Sequence, residues 1–456
     1  MENTLTYMDQ GSFLALRALG RQPLIQFVWL YDRAVDIDGL RRFQRNLGHG
    51  LLGRRIETSP LPFGRHRWVA DPGPADLEIA AAERSRDQVW EWADEHVRLP
   101  VDPEWGPAWR LGVQPLTDGG AAVSLVVSHS VADALCLGTA IADAASGNRR
   151  DLGYPAPGSR TRGRALAQDL RTTIRSLPDT GRALAATIRT ARSSGEDLAS
   201  SAKAAAPRRT PGGDQQVVAP TATVWIDLQQ WDQRAESLGG SGNSLFAAVA
   251  ARLAVAHGRV GDGSEVLLSW PVSDRVAGDT RANALTAVML PVDAAEVTTS
   301  LAGVRSGMKA ALTALPETSK ELLAPLGMVP VTPKFLLRRI EMMVGKIGDP
   351  TGCSNVGDLD PAVNRPDGTD AARVAFRSLE PQITAGMLDR TRGYLYAGSG
   401  RVHGQVFVSV GAWVAGGSNN VAGGSNNVAG GSNTKERLRE SLAQAVADMG
   451  LTGTVE

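Results

Sequence analysis

Alternating apolar positions at Val123, Leu125 and Val127 predict a buried strand that ends at His129. Beyond it, Ala134, Leu135, Leu137, Ala140, Ile141 and Ala144 recur at helical spacing, so the chain passes from strand to helix between His129 and Asp133. Upstream, residues 25–31 are rich in strand formers, and Leu40, Phe43 and Leu47 fall on one helical face. Residues 51–57 read as a basic loop carrying Arg54 and Arg55, and residues 66–70 return as a strand. Residues 87–97 predict an amphipathic helix with Val89, Trp90, Ala93 and Val97 inward. Residues 109–116 and 121–128 form a hairpin across the Asp118-Gly119 turn.

The pattern changes at about residue 156. Leu166, Leu170, Ile174, Leu177, Leu184 and Ile188 keep helical spacing, and residues 156–215 carry eleven basic side chains against five acidic ones. This stretch reads either as a solvated helical connector or as an interfacial helix drawn to anionic lipid. A second half begins with an alternating strand at 221–228. It continues with a nearly all-apolar helix at 243–256 capped by Asn243, strands at 266–275 and 284–291, and a helix at 301–315. Residues 333–343 also look helical, and a hairpin spans 394–410. The heptapeptide Val-Ala-Gly-Gly-Ser-Asn-Asn at 414–420 recurs at 421–427 and, ending in Thr, at 428–434; three such copies cannot bury a face and read as a flexible loop. The predicted organisation is therefore a lobe over 1–155, a basic helical linker over 156–215 and a second lobe over 216–456.

Composition narrows the partner classes. With 48 basic and 48 acidic residues the 456-residue chain has no net charge, which argues against a nucleic-acid partner. Two cysteines, Cys136 and Cys353, fit a reducing cytoplasm, and the six histidines are scattered without metal-ligand spacing, so no metal site is expected. No signal peptide and no run long enough to span a bilayer is evident.

The strand-end stretch is where chemistry is expected. A histidine there can act as a base near neutral pH, since the free side chain titrates near about 6.5. On spacing alone, His129 reads equally well as a satisfied structural histidine and Asp133 as a helix N-cap.

Five blocks in order resemble the superfamily of CoA-dependent acyltransferases, whose members include chloramphenicol acetyltransferase, condensation domains and polyketide-associated acyltransferases. The likeness is greatest to its wax ester synthase/diacylglycerol acyltransferase branch. The blocks are Leu5, Asp9, Phe13 and Leu14; Pro107-Ala-Trp109; His129-Ser-Val-Ala-Asp133, matching "HxxxD"; Pro271-Val-Ser273-Asp-Arg275 with Asn283 and Leu290-Pro291; and Ser354-Asn355-Val-Gly357. Two positions depart from that branch, where Ser128 replaces a first histidine and Ala134 a glycine, and the glycine at 357 comes one position early.

The resemblance implies an α/β (α+β) fold of two chloramphenicol-acetyltransferase-like lobes, each a mixed sheet with flanking helices, around a shared channel. It implies an O-acyltransferase that moves an acyl group from acyl-CoA, a co-substrate rather than a bound cofactor, to a hydroxyl-bearing small molecule or lipid. His129 would be the general base and Asp133 a strut paired with Arg275 from the other lobe. Ser128, Ser130, Asn355 and Gly357 are the candidates for oxyanion or channel contacts. A carrier-protein-bound donor and a non-catalytic binding role are the alternatives. Arg54, Arg55 and the basic linker are candidate contacts for CoA phosphates, and the linker also for a membrane or lipid-droplet surface.

Overall fold

The computed structural model describes residues 3–193, 215–260, 264–333, 350–390, 393–417 and 432–456. The helix expected at 333–343, most of the tandem repeat and the end of the basic linker lie outside the described residues. The first half supplies β1 (Leu24–Tyr31), β2 (Arg54–Glu57), β3 (Arg67–Ala70), β4 (Glu78–Ile79), β5 (Trp109–Pro115) and β6 (Ala121–Ser128). The second supplies β7 (Thr221–Asp227), β8 (Glu265–Ser273), β9 (Leu285–Asp293), β10 (Thr351–Asp358), β11 (Arg373–Leu379), β12 (Tyr394–Val402), β13 (Gln405–Trp413) and β14 (Thr454–Val455).

These strands build two mixed sheets, one for each lobe of an α/β fold. The first has five strands in the order β11-β1-β6-β5-β4, and the second has seven in the order β14-β7-β13-β12-β10-β8-β9. β2 and β3 pair separately, so the stretch around Arg54 and Arg55 is a strand and not the loop its charge suggested. β11 comes from the second half of the chain yet pairs antiparallel with β1, from Leu24↔Leu379 to Leu30↔Arg373. That crossover ties the two halves together through backbone hydrogen bonds. Buried Arg377 adds side-chain bonds from β11 to Gln26 and Asp94 of the first half and Thr221 of the second.

Each sheet has its own apolar core. Phe27, Trp29, Val123, Leu125, Val127 and Phe376 pack in the first lobe, and Val224, Leu245, Phe246, Val249, Leu268 and Val408 in the second. The helix Gly242–Ala256 is buried along nearly its whole length, as its alanine-rich, all-round apolar sequence requires. Its N-cap is Ser241, whose side chain accepts from Ser244 N while the Ser244 hydroxyl accepts from Ser241 N; Asn243 lies two positions inside and does not cap it. The helix predicted at 301–315 runs longer, Ala302–Leu323, through Pro316. β12 and β13 form the expected hairpin, turning at His403 and Gly404, both at positive φ (51° and 71°), the conformation a two-residue hairpin loop needs.

Candidate active site

β6 is the middle strand of the first sheet. It pairs with β1 on one side and β5 on the other, and every residue from Ala121 to Ser128 is buried. The ladder continues past the strand end: Ser128 N donates to Ala108 O at 3.1 Å and His129 N to Pro23 O at 3.0 Å. The backbone of the histidine is thus held by both neighbours of its strand, while its side chain is half-buried.

Four residues later Asp133 opens the helix Ala134–Ala145. Its Oδ1 accepts from Cys136 N at 2.7 Å, the N-cap bond. Its Oδ2 accepts from Arg275 Nη2 at 2.7 Å and from Ala284 N at 2.9 Å, both in the other lobe. Its own N–H donates to Ala282 O at 2.8 Å. Arg275 Nη1 also donates to Arg281 O at 2.9 Å. Asp133 therefore spends both oxygens on fixing the loop after His129 to residues 275–284, and it makes no hydrogen bond to the imidazole among the described residues.

The group that does meet the imidazole is Asn283. Its Oδ1 lies 3.0 Å from His129 Nδ1, and its Nδ2 donates to His129 O and to Asp9 Oδ1, each at 3.2 Å. Both partners of Nδ2 accept only, which fixes the amide's orientation. Oδ1 must then be the atom facing Nδ1, so Nδ1 carries a proton, and in the neutral imidazole the lone pair lies on Nε2. Asp9, in the first turn of the helix Tyr7–Leu19, is fully buried; Oδ1 also accepts from Asn283 N at 2.8 Å, while Oδ2 is buried with no hydrogen-bond partner among the described residues. A carboxyl oxygen so placed is costly to bury. Asp9 and Asn283 were visible in the sequence only as members of matching blocks; nothing there joined them to His129.

The remaining expected site residues are placed as follows. Ser128 and Ser130 are buried; Ser130 N donates to Ser128 Oγ at 3.4 Å, and Ser130 Oγ lies 3.3 Å from Ser12 Oγ. Asn355 Nδ2 donates to Asn243 Oδ1 at 2.6 Å, and Asn355 Oδ1 accepts from Gly357 N at 2.9 Å. The Gly357 amide is thus already satisfied within its own turn, where φ is 68°. Arg54 is not a surface cation. It is fully buried, donates to Val131 O at 2.9 Å and to Thr280 O, and lies 4.6 Å from the Trp68 ring centroid, so it bridges the loop after His129 to the other lobe. Arg55 is paired with Asp71 at 3.0 Å. The upstream Trp109 is buried, its indole N–H donating to Leu52 O at 3.1 Å. Burial without a charged partner drives the Cys353 thiol up and out of reach of ionisation; burial also raises Cys136, with Arg54 opposing the shift and Asp133 adding to it. No cluster of three or more potential metal ligands occurs among the described residues.

Solved structures match this arrangement of sheets along the whole chain. The first condensation domain of the CDA synthetase superposes with a TM-score of 0.56 at 16% identity, covering 100% of this chain and 99% of that one. The fold is that shared by condensation domains and wax ester synthases. Polyketide synthase associated protein 5 from Mycobacterium tuberculosis superposes with a TM-score of 0.52 at 15% identity, covering 96% of this chain and 97% of that one. The wax ester synthase/diacylglycerol acyltransferase from Marinobacter aquaeolei VT8 gives 0.52 at 16% identity, covering 98% of both. No protein-family model and no curated protein matches the chain in sequence. In this condensation-type fold the two lobes meet where His129 and Asp133 of the first bond Asn283 and Arg275 of the second.

Proposed function

We propose that the chain transfers an acyl group from acyl-CoA directly to the hydroxyl of a small molecule or lipid, with His129 as general base. The observation that supports this reading is the Asp9–Asn283–His129 chain, which directs the proton of the neutral, half-buried imidazole to Nδ1 and its lone pair to Nε2 at the lobe junction. Nε2 takes the proton of the acceptor hydroxyl as its oxygen bonds to the thioester carbonyl carbon. The tetrahedral intermediate collapses by breaking the carbon–sulfur bond, and the departing thiolate recovers that proton from Nε2. Through both steps Nδ1–H stays bonded to Asn283 Oδ1, and the buried Asp9 carboxylate offsets the transient imidazolium through the amide. No acyl-enzyme is required if donor and acceptor are held together at the lobe junction, since that removes much of the entropic barrier. Asp133 and Arg275 position the histidine loop and carry no proton.

A second reading keeps the same chemistry and takes the acyl donor as a carrier-protein thioester. Free-thiol release, followed with a panel of acyl-CoAs and acyl-carrier proteins and assorted alcohols, tests both. Thiol release with acyl-CoA that His129→Ala abolishes, with an unchanged melting temperature, is the expected result. Near wild-type turnover in that variant would place the base elsewhere. No turnover with any donor would leave the fold as a binding scaffold.

A further inference from the structure

The helix Arg162–Ser193 is amphipathic the wrong way round. At about 100° per residue, Leu166, Leu170, Ile174, Leu177, Leu184 and Ile188 fall within roughly 80° of one another. That stripe should be the buried face. Instead all six are exposed, by 43% to 56%, over about six turns of helix. The face that packs inward is made of small and polar residues: Ala165, Asp169 and Ala183 are buried. Asp169 is paired with Arg160 and accepts from Ser59 Oγ at 2.7 Å; Asp179 accepts from Tyr7 Oη at 3.0 Å; and Thr180 donates to Gly327 O at 3.1 Å. A third face, on the far side of the aliphatic stripe, carries the exposed Arg164, Arg171, Arg175, Arg182 and Arg189.

We propose that this helix is a docking surface for an anionic lipid bilayer, lying in the plane of the interface with the aliphatic stripe in the acyl boundary and the arginines among the headgroups. Three observations select that occupant. Six large aliphatics are far more than the scattered apolar residues of an ordinary surface. The helix sequence holds seven arginines against two aspartates, and both aspartates are engaged in the fold, which suits an anionic plane. A second copy fits worse, because stripe-to-stripe pairing would cover the aliphatics and leave the exposed arginine face without a role in the contact. No helix among the described residues is long and apolar enough to cross a membrane, so contact is at the interface. The surface is close to the site: residues 324–331 pack against both this helix and the helix Tyr7–Leu19 that carries Asp9. The inference does not rest on the proposed reaction and holds for a non-catalytic chain as well.

Flotation of the full chain with phosphatidylcholine vesicles, with and without phosphatidylglycerol, tests it. Binding to the anionic vesicles that falls with added salt is expected. The triple variant Leu170→Ser, Ile174→Ser, Leu177→Ser should lose at least about tenfold in partitioning, and Arg171→Glu with Arg175→Glu should remove the preference for anionic lipid. All five side chains are exposed, so the melting temperature should not move. Failure of the wild type to bind either vesicle, or unchanged binding by the serine variant, overturns the proposal. So does a wild-type dimer in light scattering that the serine variant dissolves without any vesicle binding, which would make the stripe a self-association surface.

Discussion

Asn283 lies 154 residues from His129 in sequence, yet its amide oxygen sits 3.0 Å from Nδ1 while its amide nitrogen is committed to acceptors. The histidine's tautomer is therefore set from the opposite lobe. Replacing Asn283 by Ala removes the acceptor that selects it. Steady-state kinetics should show kcat falling by roughly 10²–10³-fold with KM changed little, since the lost interaction concerns proton transfer rather than substrate binding. Asp9→Asn keeps an oxygen able to accept from Asn283, so that variant should fold and lose less, on the order of tenfold. Equal activity in Asn283→Ala and wild type would show that the tautomer does not limit the reaction.

Asp133 and Arg275 form a buried pair, with side-chain exposures of 6% and 11%, that joins the histidine loop to the second lobe. Truncating either one strands its partner. Chemical denaturation should report a loss of about 3–5 kcal/mol for Asp133→Ala and a similar loss for Arg275→Ala. The double variant should be less destabilised than the sum by about 1–3 kcal/mol, because the second truncation removes a charge that the first left uncompensated. Strict additivity would mean that the pair contributes little and that the loop is held by Ala282, Ala284 and Arg54 instead.

The contrast between these residues shows what a sequence can and cannot express. The strand before His129 and the helix after Asp133 are written in local periodicity, and the blocks around Pro271 and Asn355 appear in the expected order. The Asp9–Asn283 contact joins residues 274 positions apart and exists only once the lobes pack, so no local pattern encodes it. The stretch around Arg54 reads as a basic loop because buried arginines are rare; Arg54 is buried because three carbonyl and aromatic partners from separate segments converge on its guanidinium. β11 carries two arginines and a serine among its seven residues and gives a weak strand signal, since Arg377 points into a polar junction rather than to solvent.

The cap of the long buried helix gives a smaller, sharper test. Ser241 and Asn243 are both good capping residues, and they stand two positions apart, so composition alone could not choose. The structure assigns the cap to Ser241 and gives Asn243 to Asn355. Ser241→Ala should cost about 1 kcal/mol in thermal or chemical unfolding. Asn243→Ala should spare that capping bond and instead release the Asn355 side chain, which limited proteolysis or hydrogen exchange around residues 355–357 would detect.

Two buried histidines set an acid limit on the fold. Desolvation lowers His66 to about 4, with the Arg65 charge adding to the effect and Asp169 opposing it. Desolvation likewise lowers His96 to about 4, with Arg110 a smaller contribution of the same sign. In the unfolded chain each returns to about 6.5, so between these values the unfolded state binds more protons and stability must fall as the pH falls. The contribution is whole above about pH 6.5 and disappears through about pH 4. Each histidine should account for a loss of about 2 kcal/mol between pH 7 and pH 5. His96 stacks on Trp92 and its Nδ1 lies 2.8 Å from Ser124 Oγ, so His96→Gln keeps a polar partner for that hydroxyl while removing the titration. Urea unfolding of this variant should show a shallower decline over that interval than the wild type. A decline of equal steepness would assign the acid sensitivity to other groups.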